Sequence, residues 1–224
     1  MQKIALFFLI LASFLSVVNA QTTAPAETSD PEAKKVLDRV RKKYEAYRSF
    51  EATFSLTIEL PGQPKTAQQG TISQQGDQFR LDMDEQVIAS DGKSTWVYLK
   101  QNKEIQITDA DPNGESGFLT PKELLSRYKK GDFLFAITDK ITEKGRILTQ
   151  IEFKPKDKAS EYSKLRVSIH EKTTAIESIK AFAKDGSRYT FHILRLTPNK
   201  VFGAGHFQLQ AKDFPGVRVE DLRM

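Results

Sequence analysis

Between Phe50 and Leu60 the chain alternates without a fault. Phe50, Ala52, Phe54, Leu56, Ile58 and Leu60 are apolar, and Glu51, Thr53, Ser55, Thr57 and Glu59 between them are polar. Successive side chains of a β-strand point to opposite faces, so this period specifies one strand with a greasy face and a wet face. Such a strand needs sheet neighbours and a cover for its apolar side. Neighbours follow at once. Pro61-Gly62-Gln63-Pro64 is a turn by composition, Thr66 to Gln75 a weaker polar strand, and Gly76-Asp77 a second turn. Phe79-Arg80-Leu81-Asp82-Met83-Asp84 then resumes the alternation. The run from Gln86 to Ile107 reads as a meander: Gln86 to Ser90, an Asp91-Gly92 hairpin, Thr95 to Leu99, a turn at Gln101-Asn102-Lys103, and Glu104 to Thr108. Asp-Gly suits a two-residue hairpin because Gly takes positive φ without a Cβ clash. The first half is therefore about six antiparallel strands joined by short turns.

Two helices interrupt the strands. Asp30 makes an N-cap and Pro31 a first helical residue, and Ala33, Val36, Leu37, Val40, Tyr44 and Tyr47 follow at helical spacing. Lys34, Lys35, Arg39, Arg41, Lys42 and Lys43 crowd the rest of that helix and read as a solvated face, with a membrane or partner contact as the alternative. Asp109 to Gly117 is a loop of Asp, Pro, Asn and Gly. Thr120-Pro121-Lys122-Glu123 is a capping box that opens a short helix with Leu124, Leu125 and Tyr128 on one edge and Gly131 at its end. The second half is β again: Ile147 to Lys154, Ser163 to His170, Ala175 to Ala183, Arg188 to Thr197, and a last short strand at Phe202 to Gln210 before an extended Phe214-Pro215-Gly216-Val217 tail. No internal repeat and no inter-domain linker is visible.

Residues 1–20 do not read as part of this fold. Lys3 supplies a positive start, Ile4 to Val18 is apolar, and Val18-Asn19-Ala20 has a cleavage-site character, which together describe a signal peptide cut near Ala20. Residues 21–29 are small, polar and Pro-containing and read as a flexible tether. With no Cys the chain has no disulfide, thiolate metal site or lipid-anchoring residue. A core of this size can hold an exported domain together without them. The net charge of +5 suits anionic surfaces or acidic partners, and export argues against nucleic acid.

The usual signs of an enzyme are missing from the sequence. His170, His192 and His206 have no partner at ligand spacing, and neither a His-Glu-x-x-His nor a Gly-x-Ser-x-Gly motif occurs. Gly92-Lys93-Ser94 resembles the tail of a phosphate loop, but Val87 stands where the earlier Gly is required. Asp82, Asp84 and Glu85 read as the solvent side of an alternating strand. What the sequence does show is surplus apolar surface on antiparallel sheet, with two amphipathic helices to cover part of it.

Several of these stretches resemble one family. Ser90-Asp91-Gly92, then Trp96-x-Tyr98, then Ile105-x-Ile107 is similar to the core signature of LolA-type periplasmic carriers of outer-membrane lipoproteins. The similarity continues through the N-terminal helix with the Phe50 to Leu60 strand, Phe79-Arg80, and the closing Phe207-x-Leu209 and Phe214-Pro215-Gly216-Val217-x-Val219-x-Asp221. Their order and spacing, rather than any one of them, are specific. The resemblance implies a mainly β (α+β) fold, an unclosed antiparallel barrel of about eleven strands with a helical lid over a hydrophobic cavity, formed by residues 30–224 as one domain. It implies a monomeric periplasmic chaperone without cofactor. Such a protein takes acylated lipoprotein cargo from an inner-membrane ABC-type releasing complex and passes it to an outer-membrane acceptor.

The physics makes such a carrier necessary. Burying a methylene is worth ~0.8 kcal/mol, so a sixteen-carbon chain in water costs on the order of ten kcal/mol. On this reading Phe54, Leu56, Ile58, Phe79, Leu81, Met83 and Trp96 are the candidate cavity lining, and Leu124, Leu125 and Tyr128 the candidate lid. One departure stands out. The family's lid-holding Arg-Pro pair falls on Gln75 and Gly76, and a Gln lacks the charged fork of Arg. A sensing module of the same fold, which binds a lipid or protein signal without shuttling it, is the second reading. An exported hydrolase is a third, and it lacks a nucleophile and a metal set.

Overall fold

The computed structural model describes residues 28–110 and 121–223, with only the backbone described at 121–123. The signal peptide, the tether up to residue 27, residues 111–117 of the expected loop and the capping Thr120 lie outside the described residues.

Strands β1 (Ser49–Glu59), β2 (Thr66–Gln75), β3 (Gln78–Met83), β4 (Gln86–Ser90), β5 (Ser94–Leu99) and β6 (Glu104–Asp109) form a consecutive meander. After helix α2 (Pro121–Lys130) come β7 (Phe133–Glu143), β8 (Arg146–Pro155), β9 (Tyr162–His170), β10 (Ile176–Ala183) and β11 (Arg188–Pro198), and β12 (Arg218–Asp221) ends the chain. All twelve described strands belong to one sheet, in the order β12-β6-β5-β4-β3-β2-β1-β11-β10-β9-β8-β7. Its two end strands, β12 and β7, do not pair with each other, so the barrel is unclosed. Every ladder is antiparallel except β12 on β6, which is parallel.

The join between the halves is the pairing of β1 with β11. Its register slips at Thr53 and Phe54: Thr53 faces Arg195 and Phe54 faces Ile193, so Leu194 is the extra residue of a bulge and stands 58% exposed. The bulge lets Ile193 and Leu196 both serve the apolar side of the sheet.

Helix α1 (Pro31–Glu45) starts as its residues demand. Asp30 Oδ1 accepts from the Glu32 N–H at 2.8 Å, and Pro31 occupies the first turn, where no N–H is needed. Ala33, Leu37 and Val40 are buried in one cluster with Leu124, Leu125 and Tyr128 of α2 and with Phe153, Val167, Ile169 and Ile179 of β8–β10. Both helices therefore cover the inner face of the second half-sheet. A second cluster, with Phe50, Ala52, Phe54, Ile72, Leu81, Met83 and Phe191, fills the inner face around β1–β3. A third lies on the outer face of β4–β6: Val87, Ala89, Trp96 and Ile105 are covered there by Leu209, with Phe214 and Val217 beside them.

Five sequence-based readings need correction. β7 was not anticipated, although its Phe-Leu-Phe-Ala-Ile start runs into a Lys144-Gly145 turn in which both residues have positive φ. The hairpin after β4 does not turn on Asp91-Gly92: the Asp91 N–H donates to the Ser94 carbonyl at 3.3 Å, which puts Gly92-Lys93 at the tip. The β4–β5 ladder pairs Ser90 with Thr95, and the Asp91 carboxylate caps the N–H groups of Lys93 and Ser94 at 2.9 Å each. Phe202 to Gln210 is a series of turns that packs on the outer face, because the inner face at β11 is already occupied. The expected tail instead follows a 3-10 turn (Ala211–Asp213) into β12. Ser29, placed in the tether, is tied to the edge of β7: Phe135 N–H donates to Ser29 Oγ at 3.4 Å, and the Asp30 N–H donates to the Phe135 carbonyl at 2.9 Å.

Candidate functional site

Two of the clefts among the described residues lie near the ends of β1, one at each end. The larger, about 790 Å³, lies where the second half of β1 meets β10 and β11. Its apolar walls are Leu56 and Ile58 from β1, Met83 from β3, Ile179 and Ala181 from β10, and Tyr189 and Phe191 from β11. Register explains the gathering. Leu56 pairs with Phe191 and Ile58 with Tyr189, while Ile179 pairs with Phe191 and Ala181 with Tyr189. Directly paired residues of antiparallel strands present their side chains on one face, so these rows build a continuous apolar wall. Charged residues Glu85, Glu161, Lys184 and Asp185 also border the cleft, and the Lys184 ammonium donates to the Lys158 carbonyl at 2.6 Å.

The smaller cleft, about 370 Å³, lies at the other end of β1, between the C-terminal end of α1 and α2. Phe50, Tyr44, Tyr47 and Leu125 give it apolar walls; Arg41, Arg48, Lys129 and Glu45 give it charge. Between the clefts Phe54 is fully buried and stacks on Phe191 with ring centres 4.4 Å apart. Phe54 has room because Gly70 faces it across the β1–β2 ladder: a Cβ at Gly70 would lie 2.6 Å from the Phe54 ring and 2.6 Å from the Asp82 carbonyl.

Of the candidate lining residues, Leu56, Ile58 and Met83 border the larger cleft. Phe54 and Leu81 are buried behind it, and Phe79 shares their strand face nearer the smaller cleft, paired with Gln74. Trp96 is on the other side of the sheet. It pairs with Ala89, one residue out of phase with the Leu81–Ile88 row, and packs in the outer-face cluster with Leu209. Its apolar character reflects the C-terminal segment wrapping the outer face, not the cavity. Missing from the sequence-based set are Ile179, Ala181, Tyr189 and Phe191. Their own alternation marks an apolar face, but only the long-range pairing of β1 with β11 shows that it is the same face as Leu56.

The candidate lid residues Leu124, Leu125 and Tyr128 are all buried, against α1 and β7–β10 rather than over the larger cleft; Leu125 borders the smaller one. The position expected to replace the lid-holding Arg, Gln75, is exposed. Its neighbour Gln74 faces inward at 7% exposure and borders the smaller cleft. The hydrogen bond that ties the helices comes from elsewhere: Tyr128 Oη donates to Asp38 Oδ1 at 3.0 Å. The Lys34 ammonium, 2.6 Å from Asp38 Oδ2, and the Tyr128 hydroxyl hold the Asp38 carboxyl below its ordinary range. Burial, and then Asp38, push the Tyr128 phenol up to about 12. Three of the six cations of α1 are engaged within the helix, as Lys34–Asp38, Lys35–Glu32 and Arg41–Glu45 pairs. No helix among the described residues is long and apolar enough to cross a membrane.

Comparison with known proteins bears on the fold and the family. A structure of a conserved protein from Thermus thermophilus covers 85% of this chain and 99% of its own, with a TM-score of 0.55 at 9% identity, and so shares the fold. A LolA superfamily protein from Nitrosomonas europaea covers 79% of this chain and 97% of its own, with a TM-score of 0.43 at 10% identity. An uncharacterized protein of Methanocaldococcus jannaschii is 31% identical over 88 residues, 39% of this chain; the chain spans about a quarter of that relative's length, the aligned share being 26%. The model of the family described as outer membrane lipoprotein carrier protein LolA matches residues 45–210, from the end of α1 to the outer-face turns, and the chain belongs to that family.

Proposed function

We propose that this protein is a periplasmic carrier that holds the acyl chains of lipoproteins in its larger cleft and moves them from the inner to the outer membrane. One observation supports this above the others. In a member of the lipoprotein-carrier family, β1, β3, β10 and β11 leave an apolar-walled cleft of about 790 Å³ on the inner face of an open barrel. That volume is in the range of sites that enclose most of a ligand of several hundred daltons. The function needs no bond to be made or broken. It needs a cleft that shields methylenes from water and releases them to a stronger acceptor. On this reading cargo arrives from an ABC-type releasing complex, leaves to an outer-membrane acceptor, and is held by a single copy of the chain without cofactor.

Leu56 is the residue to test, because it stands in the apolar wall and is only half-buried. Leu56→Glu is expected to abolish binding of a fluorescent fatty acid while the circular dichroism spectrum stays unchanged. Retained binding by the folded variant would place the acyl chains elsewhere. Shuttling is tested separately, by incubating the purified protein with energised spheroplasts and asking whether lipoproteins appear in the supernatant and then pass to outer-membrane vesicles. A protein that binds acyl probes yet releases nothing is a sensor of the same fold, not a carrier.

A further inference from the structure

We propose that the outer face of β9–β11 is a docking surface for an extended acidic segment of a partner protein. The strands that wall the larger cleft carry a different surface on their other side. Ile179 and Ala181 of β10 face the cleft, so Lys180 and Phe182, which alternate with them, face outward. Register then gathers cations around the ring. Phe182 pairs with Lys164 on one side and Arg188 on the other, and Lys180 pairs with Arg166. Lys164 Nζ lies 4.9 Å from the centre of the Phe182 ring and Lys180 Nζ 5.5 Å, with the Arg166 and Arg188 guanidinium carbons at 5.6 and 5.9 Å. At such distances the ring attracts each cation and offsets part of their mutual repulsion.

Carboxylates of the chain offset another part, but not all of it. Glu152 holds Lys164 at 2.9 Å and Arg166 Nε at 3.0 Å, and Glu59 holds Lys180 at 3.3 Å and Lys65 at 3.7 Å. With Arg188, five cations share two carboxylates, which leaves a positive surplus on this face. Arg188 is exposed, and among the described residues its guanidinium is hydrogen-bonded to no carboxylate, so its planar fork is open to one from outside. Spacing favours an extended partner. The row of Lys164, Phe182 and Arg188 and the row of Arg166 and Lys180 lie about 6.8 Å apart along the strands, which is also the repeat of alternate side chains in an extended segment. A bilayer fits this face less well. Phe182 is half-buried beneath the charges, whereas an anchoring aromatic stands beyond them to enter lipid. Because Lys164, Arg166, Lys180 and Arg188 all lie outside the walls of the larger cleft, docking here and acyl binding there are separable.

The test is fluorescence anisotropy of a labelled peptide of alternating Glu and Thr, about twelve residues and so roughly 40 Å long when extended, titrated with the purified protein. Saturable binding is expected, weakening as NaCl rises from about 0.02 M to about 0.3 M. The double variant Lys180→Gln with Arg188→Gln is expected to keep its Tm and to bind about tenfold more weakly. Lys35→Gln with Lys42→Gln removes the same net charge from exposed positions of α1 and is expected to bind like the wild type. Glu152→Gln releases Lys164 and Arg166 from their carboxylate and is expected to bind about threefold more tightly, a gain that loss of structure cannot produce. Equal losses in the two double variants would reduce the effect to net charge and overturn the proposal. Wild-type affinity in Lys180→Gln with Arg188→Gln, or no gain in Glu152→Gln, would do so too. Co-sedimentation with phosphatidylglycerol vesicles in place of peptide binding would assign the face to a membrane and overturn the acidic segment.

Discussion

At the scale of single residues, the interior is organised by close approaches that leave no slack. Phe54 lies over Gly70, and a methyl group there would meet both a ring and a backbone carbonyl, of which only the ring can move. Gly70→Ala is expected to lower stability by about 1–3 kcal/mol, read as a fall in the urea midpoint at unchanged slope. Phe54→Leu in the same chain should recover part of the loss, and no recovery would assign the strain to the carbonyl alone. On the outer face His206 stacks on Phe202 at 4.5 Å, and its buried Nε2 has no protein partner. Burial, and then the nearby Arg80, hold its pKa below 6.5. The neutral ring is the form that the fold accepts. Its contribution to stability is therefore present above the ordinary value and is lost as pH falls through the lower folded one. His206→Phe is expected to flatten the dependence of Tm on pH below 6.5, and an unchanged profile would show that the ring carries none of it.

At the scale of elements, α2 is held by a short list of contacts. Leu124 and Leu125 supply burial, and Tyr128 supplies the hydrogen bond to Asp38 on α1. Tyr128→Phe keeps the packing and removes the donor, so it should cost about 1 kcal/mol, seen as faster amide exchange across α2. The clasp has an acid limit. Asp38 is favoured in its ionised form by Lys34 and Tyr128, so this stabilisation exists above its ordinary value of 3.8 and fades as pH drops below it. The exchange rates of wild type and Asp38→Ala should therefore converge in strong acid. At the basic end the raised phenol of Tyr128 keeps its proton through pH 10, and the clasp loosens only toward about 12.

At the scale of the whole molecule, an unclosed barrel must manage two edges. β7 is covered at its start by Ser29 and Asp30, and β6 by the parallel strand β12. The segment that reaches β12 also carries Leu209 and Phe214 onto the outer face, where Phe214 lies 4.3 Å from the Tyr98 ring. Trp96, the only Trp of the chain, reports on that contact. Truncation after Gln208 is expected to shift its fluorescence to the red and to promote self-association through the bared β6 edge, measurable by light scattering. An unshifted spectrum would mean that Trp96 is shielded by the sheet alone.

The sequence by itself determined what depends on near neighbours. Period two marks β1 and β3, turn residues and apolar runs bound eight more strands, capping chemistry marks α1, and the absence of Cys leaves the fold to burial and hydrogen bonding. The reach of a strand's own alternation ends at saying which residues share a face. Which face is inside, and which strand lies next to it, depends on partners far along the chain. Hence Leu56, Ile58 and Met83 were legible as cleft candidates, whereas Ile179, Ala181, Tyr189 and Phe191 were not, and Trp96 was assigned to the wrong side. Tertiary structure decided these through the β1–β11 register and its bulge at Leu194, and through the C-terminal turns that cover the outer face. A one-residue change of phase moves a side chain across the sheet, and only a long-range pairing fixes that phase.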